Sequence, residues 1–160
     1  MIQATLPGLL ESMRRHKYEA DIRQDSKQIL TILKISKQEY PLFLRIFENS
    51  RLLQLLVFIP TTLSAATTVD TARLLHLLNK EVDMPGFGMD EMANVIFYRL
   101  MIPLQNKKVD EDLFITYLKA AQNICELFAL PVEAVANGQA TLDEILEKVK
   151  QSEQEQQNQS

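Results

Sequence analysis

The sequence predicts an α+β fold, one domain built on a single antiparallel sheet of five to six strands with helices mainly on one face. Three observations lead there. Apolar spacing switches between helical and strand periods along the chain, in the order helix, three strands, helix, two strands, helix, helix (α-βββ-α-ββ-α-α). The strand-like runs are joined by polar connections short enough for antiparallel neighbours. A length of 160 residues with 46% hydrophobic and 24% charged content supports one real core and speaks against wholesale disorder.

The opening "TLPGLLESMRRHKYEA" (5–20) reads as a short helix, capped by Thr5, with Pro7 where a missing N–H costs least. Leu6, Leu9, Leu10 and Met13 share one side of it. Arg14, Arg15, His16 and Lys17 suit a helix C-terminus, where the dipole favours cations; an anion site is the alternative. "QILTILKI" (28–35), "PLFLRIFE" (41–48) and "LLQLLVFI" (52–59) are β-prone runs connected by "SKQEY" and "NSR", with Pro41 and Pro60 at positions strands tolerate. "TTLSAATTVDTARLLHLLNKEV" (61–82) returns to helix, with Thr67 and Asp70 at capping-box spacing and Leu74, Leu75 and Leu78 as its stripe. "GFGMDE" and "NVIFYRLMIP" make two more strands turned at "EMAN". Asp110 or its neighbour opens the strongest helix, whose stripe holds Leu113, Phe114, Tyr117, Leu118, Ala121, Ile124, Cys125 and Phe128, and Pro131 should stop it. A last amphipathic helix carries Leu142, Ile145, Leu146 and Val149. Residues 1–150 thus form the domain, and 151–160, acidic and Gln-rich with almost nothing to bury, are expected to be a disordered tail.

Several functions are disfavoured. A net charge of −4 works against non-specific nucleic-acid binding, which needs basic surface. The single cysteine suits a reducing compartment, the N-terminus has no signal-peptide order, and no apolar run reaches the ~20 residues of a membrane span, so a cytoplasmic protein without membrane insertion is expected. His16 and His76 have no ligand neighbours at metal spacing. Cys125 sits in an apolar stripe where a thiol acts as a small hydrophobe, and Asp110, Glu111 and Asp112 read as helix-start acids. No catalytic, cofactor-binding or metal-binding residue emerges, and the chain is read as a non-enzyme. Met84, Met89, Met92 and Met101 gather around the second hairpin; core filling is the default, and adaptable binding the alternative.

Alternation along the strands separates two sheet faces. One is aliphatic and should lie under the helices: Ile29, Leu33, Ile35, Leu42, Leu44, Ile46, Leu53, Leu55, Val57, Ile59, Ile96, Leu100 and Ile102. The other mixes apolar and polar residues, and its Ile32, Lys34, Phe43, Arg45, Phe47, Gln54, Leu56, Phe58, Phe97 and Arg99 are the candidate partner-binding residues. Left in water it would form a larger apolar patch than monomers usually show. A terminal helix, a second copy of the chain or a partner segment could cover it. Lys34, Arg45 and Arg99 favour a cover bearing carboxylates, or else they snorkel to water.

The strands "YPLFLRIFENSRLLQLLVFIP", the helix ending "LLHLLNKEV", the hairpin "GFGMDEMANVIFYRLMIPL" and the long helix after it resemble the YbjN family over about Tyr18 to Leu130. The most specific element is the passage from the helix through Asn79 to the strand Val95 to Pro103. The resemblance implies a bacterial cytoplasmic binding module with a fold shared by the small dimeric chaperones of type III secretion. Such a homodimer would hold a partner protein or secreted client polypeptide on apolar sheet and helix surfaces, with no cofactor. The alternative is a small-molecule-sensing regulator with a pocket between the sheet and the long helix.

The triplet Gly86-Phe87-Gly88 is not a phosphate loop, because such glycines follow a strand and open a helix, and here a helix comes first. Positive φ at Gly86 and Gly88 is expected to turn the chain into the second hairpin.

Overall fold

The protein is described by a computed structural model covering residues 1–47, 49 and 51–159. Glu48, expected to close a strand, Ser50 of the turn after it and Ser160 of the tail lie outside the described residues. Strand β1 (Ile2–Gln3) leads into helix α1 (Leu6–Arg15), followed by β2 (Ala20–Arg23), β3 (Gln28–Ile35), β4 (Gln38–Phe47) and β5 (Leu52–Ile59). Helix α2 (Thr68–Glu81), β6 (Phe87–Asp90), β7 (Val95–Pro103), β8 (Lys108–Val109), α3 (Glu111–Ala136) and α4 (Leu142–Asn158) complete the chain. Six strands form one antiparallel sheet in the order β2-β3-β4-β5-β7-β6, the α+β fold expected; β1 and β8 pair separately, with Ile2 opposite Val109.

The expected first helix ran too far. It ends at Arg15 because Lys17 takes a left-handed conformation (φ 67°), Tyr18 N–H reaches back to Met13 O (2.9 Å) and Lys17 N–H to Arg14 O (3.0 Å). These bonds close the helix as a Schellman motif without its usual glycine, and they free residues 20–23 to become an edge strand. The arginines of this segment are paired: Arg14 with Asp21 at 3.0 Å and Arg15 with Glu111 at 2.5 Å. Ser12 Oγ, fully buried, also donates to Glu111 (2.7 Å), so α1 is fastened to the start of α3. These two hydrogen bonds hold the Glu111 carboxyl below its usual range.

Helices α1, α2 and α3 cover the aliphatic sheet face. Ile29, Leu42, Leu44, Leu53 and Val57 are fully buried beneath them, together with Leu9, Met13, Phe114, Leu118 and Cys125 in one core. Cys125 is packed so closely that burial pushes its thiol up to about 12. Contrary to expectation, Pro131 does not stop α3, which continues to Ala136. The carbonyl that loses its bond belongs to Leu127, itself 67% exposed, so the helix lacks one hydrogen bond where water can replace it, while Val132, Val135 and Ala136 gain burial beyond the proline. Thr67 does not form the capping box expected with Asp70; its hydroxyl donates to Ala136 O at 2.6 Å and ties α2 to the end of α3. A capping box forms at α4, between Thr141 and Glu144. That helix runs on to Asn158, where disorder was expected, with residues 151–159 all exposed; Glu, Gln and Lys are good helix formers and Thr141 nucleates the helix at its start.

Polar groups bind the helices to the sheet at Glu133 and at Asn79. Tyr40, fully buried in β4, donates to Glu133 Oε2 of α3 at 2.9 Å. Gln38, oriented to satisfy the network, donates its amide to both Glu133 oxygens at 3.1 Å. Asn79 of α2 accepts from Gly86 N–H (3.1 Å) and Phe87 N–H (2.9 Å), and donates to Phe87 O (2.9 Å). It occupies the outer edge of β6 as a neighbouring strand would.

Gly86 and Gly88 are needed for space and not, as expected, for positive φ, which among the glycines only Gly138 adopts. A Cβ on Gly86 would meet Arg99 O at 2.2 Å, and one on Gly88 the Phe97 ring at 2.6 Å.

Two outcomes test these ties. Asn79→Ala orphans Phe87 and Gly86 backbone groups and should cost about 3 kcal/mol, at roughly 1–3 kcal/mol per part-buried orphan, read as a lower urea midpoint at unchanged slope. Burial raises the Glu133 carboxyl pKa, so the fold binds that proton more tightly than the unfolded chain. Its stabilising effect is present below the ordinary carboxyl range and lost as pH rises through the raised pKa. Glu133→Gln should therefore gain melting temperature over the parent at about pH 7, and the gain should shrink as the pH falls to about 4.

Candidate functional site

No helix crosses the second sheet face, which is bare on the described chain. α4, which could have closed it, packs instead beside α2 on the helical layer, where Leu74, Leu77, Phe128 and Ile145 meet. The ladder registers set the bare face out in rows. Ile32, Pro41, Phe58 and Phe97 make one row; Leu30, Phe43, Leu56 and Arg99 the next; Arg45, Gln54 and Met101 a third; Phe47 and Leu52 a fourth. Gly88 lies opposite Phe97 and leaves room for its ring to lie across β6.

The candidate residues therefore share one surface. Phe43, Phe47, Gln54, Leu56, Phe58 and Phe97 are half-buried, while Ile32, Lys34, Arg45 and Arg99 are exposed. Phe43 and Phe58 meet edge to face, ring centroids 5.7 Å apart. The guanidinium of Arg45 lies 4.3 Å from the Phe47 ring centroid, and that of Arg99 5.5 Å from the Phe97 ring. Both arginines thus lie against apolar rings with their charge left in water. Neither arginine, nor Lys34, forms an ion pair with a described residue, although Lys34 stands opposite Glu39 in the ladder. Lys34 and Phe47 lie at opposite corners, so the compact centre is Phe43, Leu56, Phe58 and Phe97 with Arg45 and Arg99 around it.

At the β6 end this face meets a cleft of about 590 Å³, lined among others by Met84, Gly86, Phe97, Arg99, Met101 and Tyr117. Sequence reasoning did not assemble it. Tyr117, expected in the core stripe of its helix, is only half-buried. Met84 and Tyr117 are remote in sequence, and the signal that could have joined them was the shortness of the strand after Gly86. The space between the sheet and α3, where a ligand pocket was the alternative expectation, is filled by Phe114, Leu118, Ala121 and Cys125. Of the histidines, His76 is exposed on α2 and His16 sits 3.8 Å from Glu111. Among the described residues no group of three His, Cys, Asp or Glu could hold a metal, and no helix is long and apolar enough to cross a membrane.

Residues 6–134 match the family described as "YbjN: Putative bacterial sensory transduction regulator". Among solved structures, the chain is similar to the one described as "Crystal structure of YbjN, a putative transcription regulator from E. coli". The TM-score is 0.58 at 9% identity, over 87% of this chain and 96% of that one, a likeness of fold alone. No curated protein matches the sequence. With the family match spanning most of its length, the chain belongs to the YbjN family.

Proposed function

We propose that the chain is a non-catalytic regulatory or chaperone-like binding module, working in the cytoplasm, that holds a partner polypeptide on the bare face of its sheet. The observation that carries this reading is the face itself: aromatic and aliphatic rows with no element over them, bordered by arginines that have no carboxylate among the described residues. A partner with apolar anchors would exclude water from Phe43, Leu56 and Phe58, and acidic groups around those anchors would meet Arg45 and Arg99. The description of the family as a regulator agrees with a binding role. The finer form of the reading is a homodimer that holds an extended client of a type III secretion system, in the manner of secretion chaperones. A small-molecule regulator is the second reading, favoured by the cleft at the β6 end.

Phe43→Ser/Phe58→Ser should keep the fold, because both rings are half-buried on the bare face, and should weaken partner binding by about 30-fold, as for loss of a hot spot. Proteins retained from native cytoplasm by the parent and lost from the double variant support the reading; equal retention by both overturns it. Light scattering at micromolar concentration should give the mass of a dimer, and a monomer removes the homodimer from the reading. Metabolites that raise the melting temperature of the parent but not of Tyr117→Ala would favour the small-molecule reading.

A further inference from the structure

Strand β7 runs from Val95 to Pro103, but β6 covers it only as far as Tyr98, opposite Phe87. The last bond between them is from Arg99 N–H to Gly86 O at 2.9 Å. Beyond it the preceding chain leaves the sheet through Pro85. Backbone groups alternate in direction along a strand, so Met101 turns its N–H and C=O to the same side as Arg99. On that side β6 is the last strand of the sheet and stops short of Met101, so Met101 has a described strand partner, Gln54 of β5, on its other side alone. Pro103, the next residue of that orientation, has no N–H, as suits an unpaired edge. The result is a short slot along β7 that coincides with the cleft: Arg99 and Met101 on its bare-face side, Met84 and Tyr117 on its helical side.

We propose that this slot takes an extended peptide of a partner protein, which continues the line of β6 along β7 and sets a carboxylate beside Arg99. The proposal rests on the polypeptide-binding reading and narrows it to strand addition at one edge. The backbone argues for this occupant, because an extended chain offers a donor and an acceptor at the spacing Met101 presents. Charge argues for it too: the Arg99 guanidinium has the Phe97 ring beside it and no carboxylate partner among the described residues. A peptide residue opposite Met101 shares its face and lies beside Arg99, so an acidic side chain fits there. The adjacent peptide residue points the other way, between Met84 and Tyr117, where an aliphatic side chain fits. Asn79 closes the outer edge of β6 at Phe87, which confines the added strand to β7.

The test is a selection of random phage-displayed peptides on the full chain, followed by backbone amide exchange with a synthetic copy of the enriched peptide. The expected result is Asp or Glu next to an aliphatic residue, and slowed exchange at Met101. Selection on Arg99→Glu should enrich Lys or Arg at the same place. Met101→Pro, which removes the edge N–H, should weaken the peptide by about tenfold or more with an unchanged circular dichroism spectrum. Arg99→Glu alters no backbone group and keeps the test valid if the proline variant fails to fold.

If binding survives both edge variants but is lost in Phe43→Ser/Phe58→Ser, the edge proposal is overturned and the bare-face reading stands. Loss in the edge variants alone supports the edge and removes the bare face. Met101 protection that grows with protein concentration in the absence of peptide assigns the edge to a second copy and overturns the partner peptide. A selection that enriches no peptide overturns the proposal as well.

Discussion

The side-chain amide of Asn79 does for β6 what a further strand would do, accepting from one backbone N–H of Phe87 and donating to its carbonyl, while also holding Gly86. Strand β6 is four residues long and has a partner strand on one side only, so its place depends on this bond set. Its position then governs others. Gly86 comes so close to Arg99 that a side chain would not fit, and Gly88 leaves the space that the Phe97 ring fills. Tyr98, fully buried, reaches Met84 O at 2.6 Å in the same loop. A helix, a loop and the sheet edge are thus fixed by a few short-range polar contacts, and the place where β6 ends decides how much of β7 is left uncovered.

With all the helices on one side, the sheet has two unlike faces. The covered face is dry and aliphatic, and its polar exceptions are satisfied: Thr31 donates to Glu19 O at 2.8 Å and Tyr40 to Glu133. The bare face tolerates water through its arginines, whose guanidinium groups lie against phenylalanine rings and reduce the apolar area that solvent meets. This arrangement shields part of the rings without closing the surface, since a guanidinium can move aside or pair when something else arrives.

Much of this architecture was legible in the sequence because strand alternation is strict. Ile29, Leu33, Leu42, Leu44, Leu53, Leu55 and Val57 all fall on the buried face, and the opposite set follows at once. Caps with matching side chains, Thr5 and Asp110, were equally readable. What escaped had no local signal. The Schellman turn at Lys17 lacks its glycine; Thr67 is diverted by a carbonyl 69 residues away; Pro131 is tolerated because the turn it breaks is exposed while the turn beyond it is buried. The bare-face residues could be listed from alternation, but their grouping into a centre and two corners needed the strand order, and the β7 edge needed the length of its neighbour.

Cys125 has a practical consequence. It is the only thiol in the chain, it is fully buried in the single core, and burial holds its proton on far above neutral pH. A thiol reagent therefore has to wait for the core to open before it finds a thiolate. The protein thus carries its own clock for global opening, readable by alkylation rate at one position without any label being added. That clock separates events at the sheet edge, which leave the thiol shielded, from events that open the core.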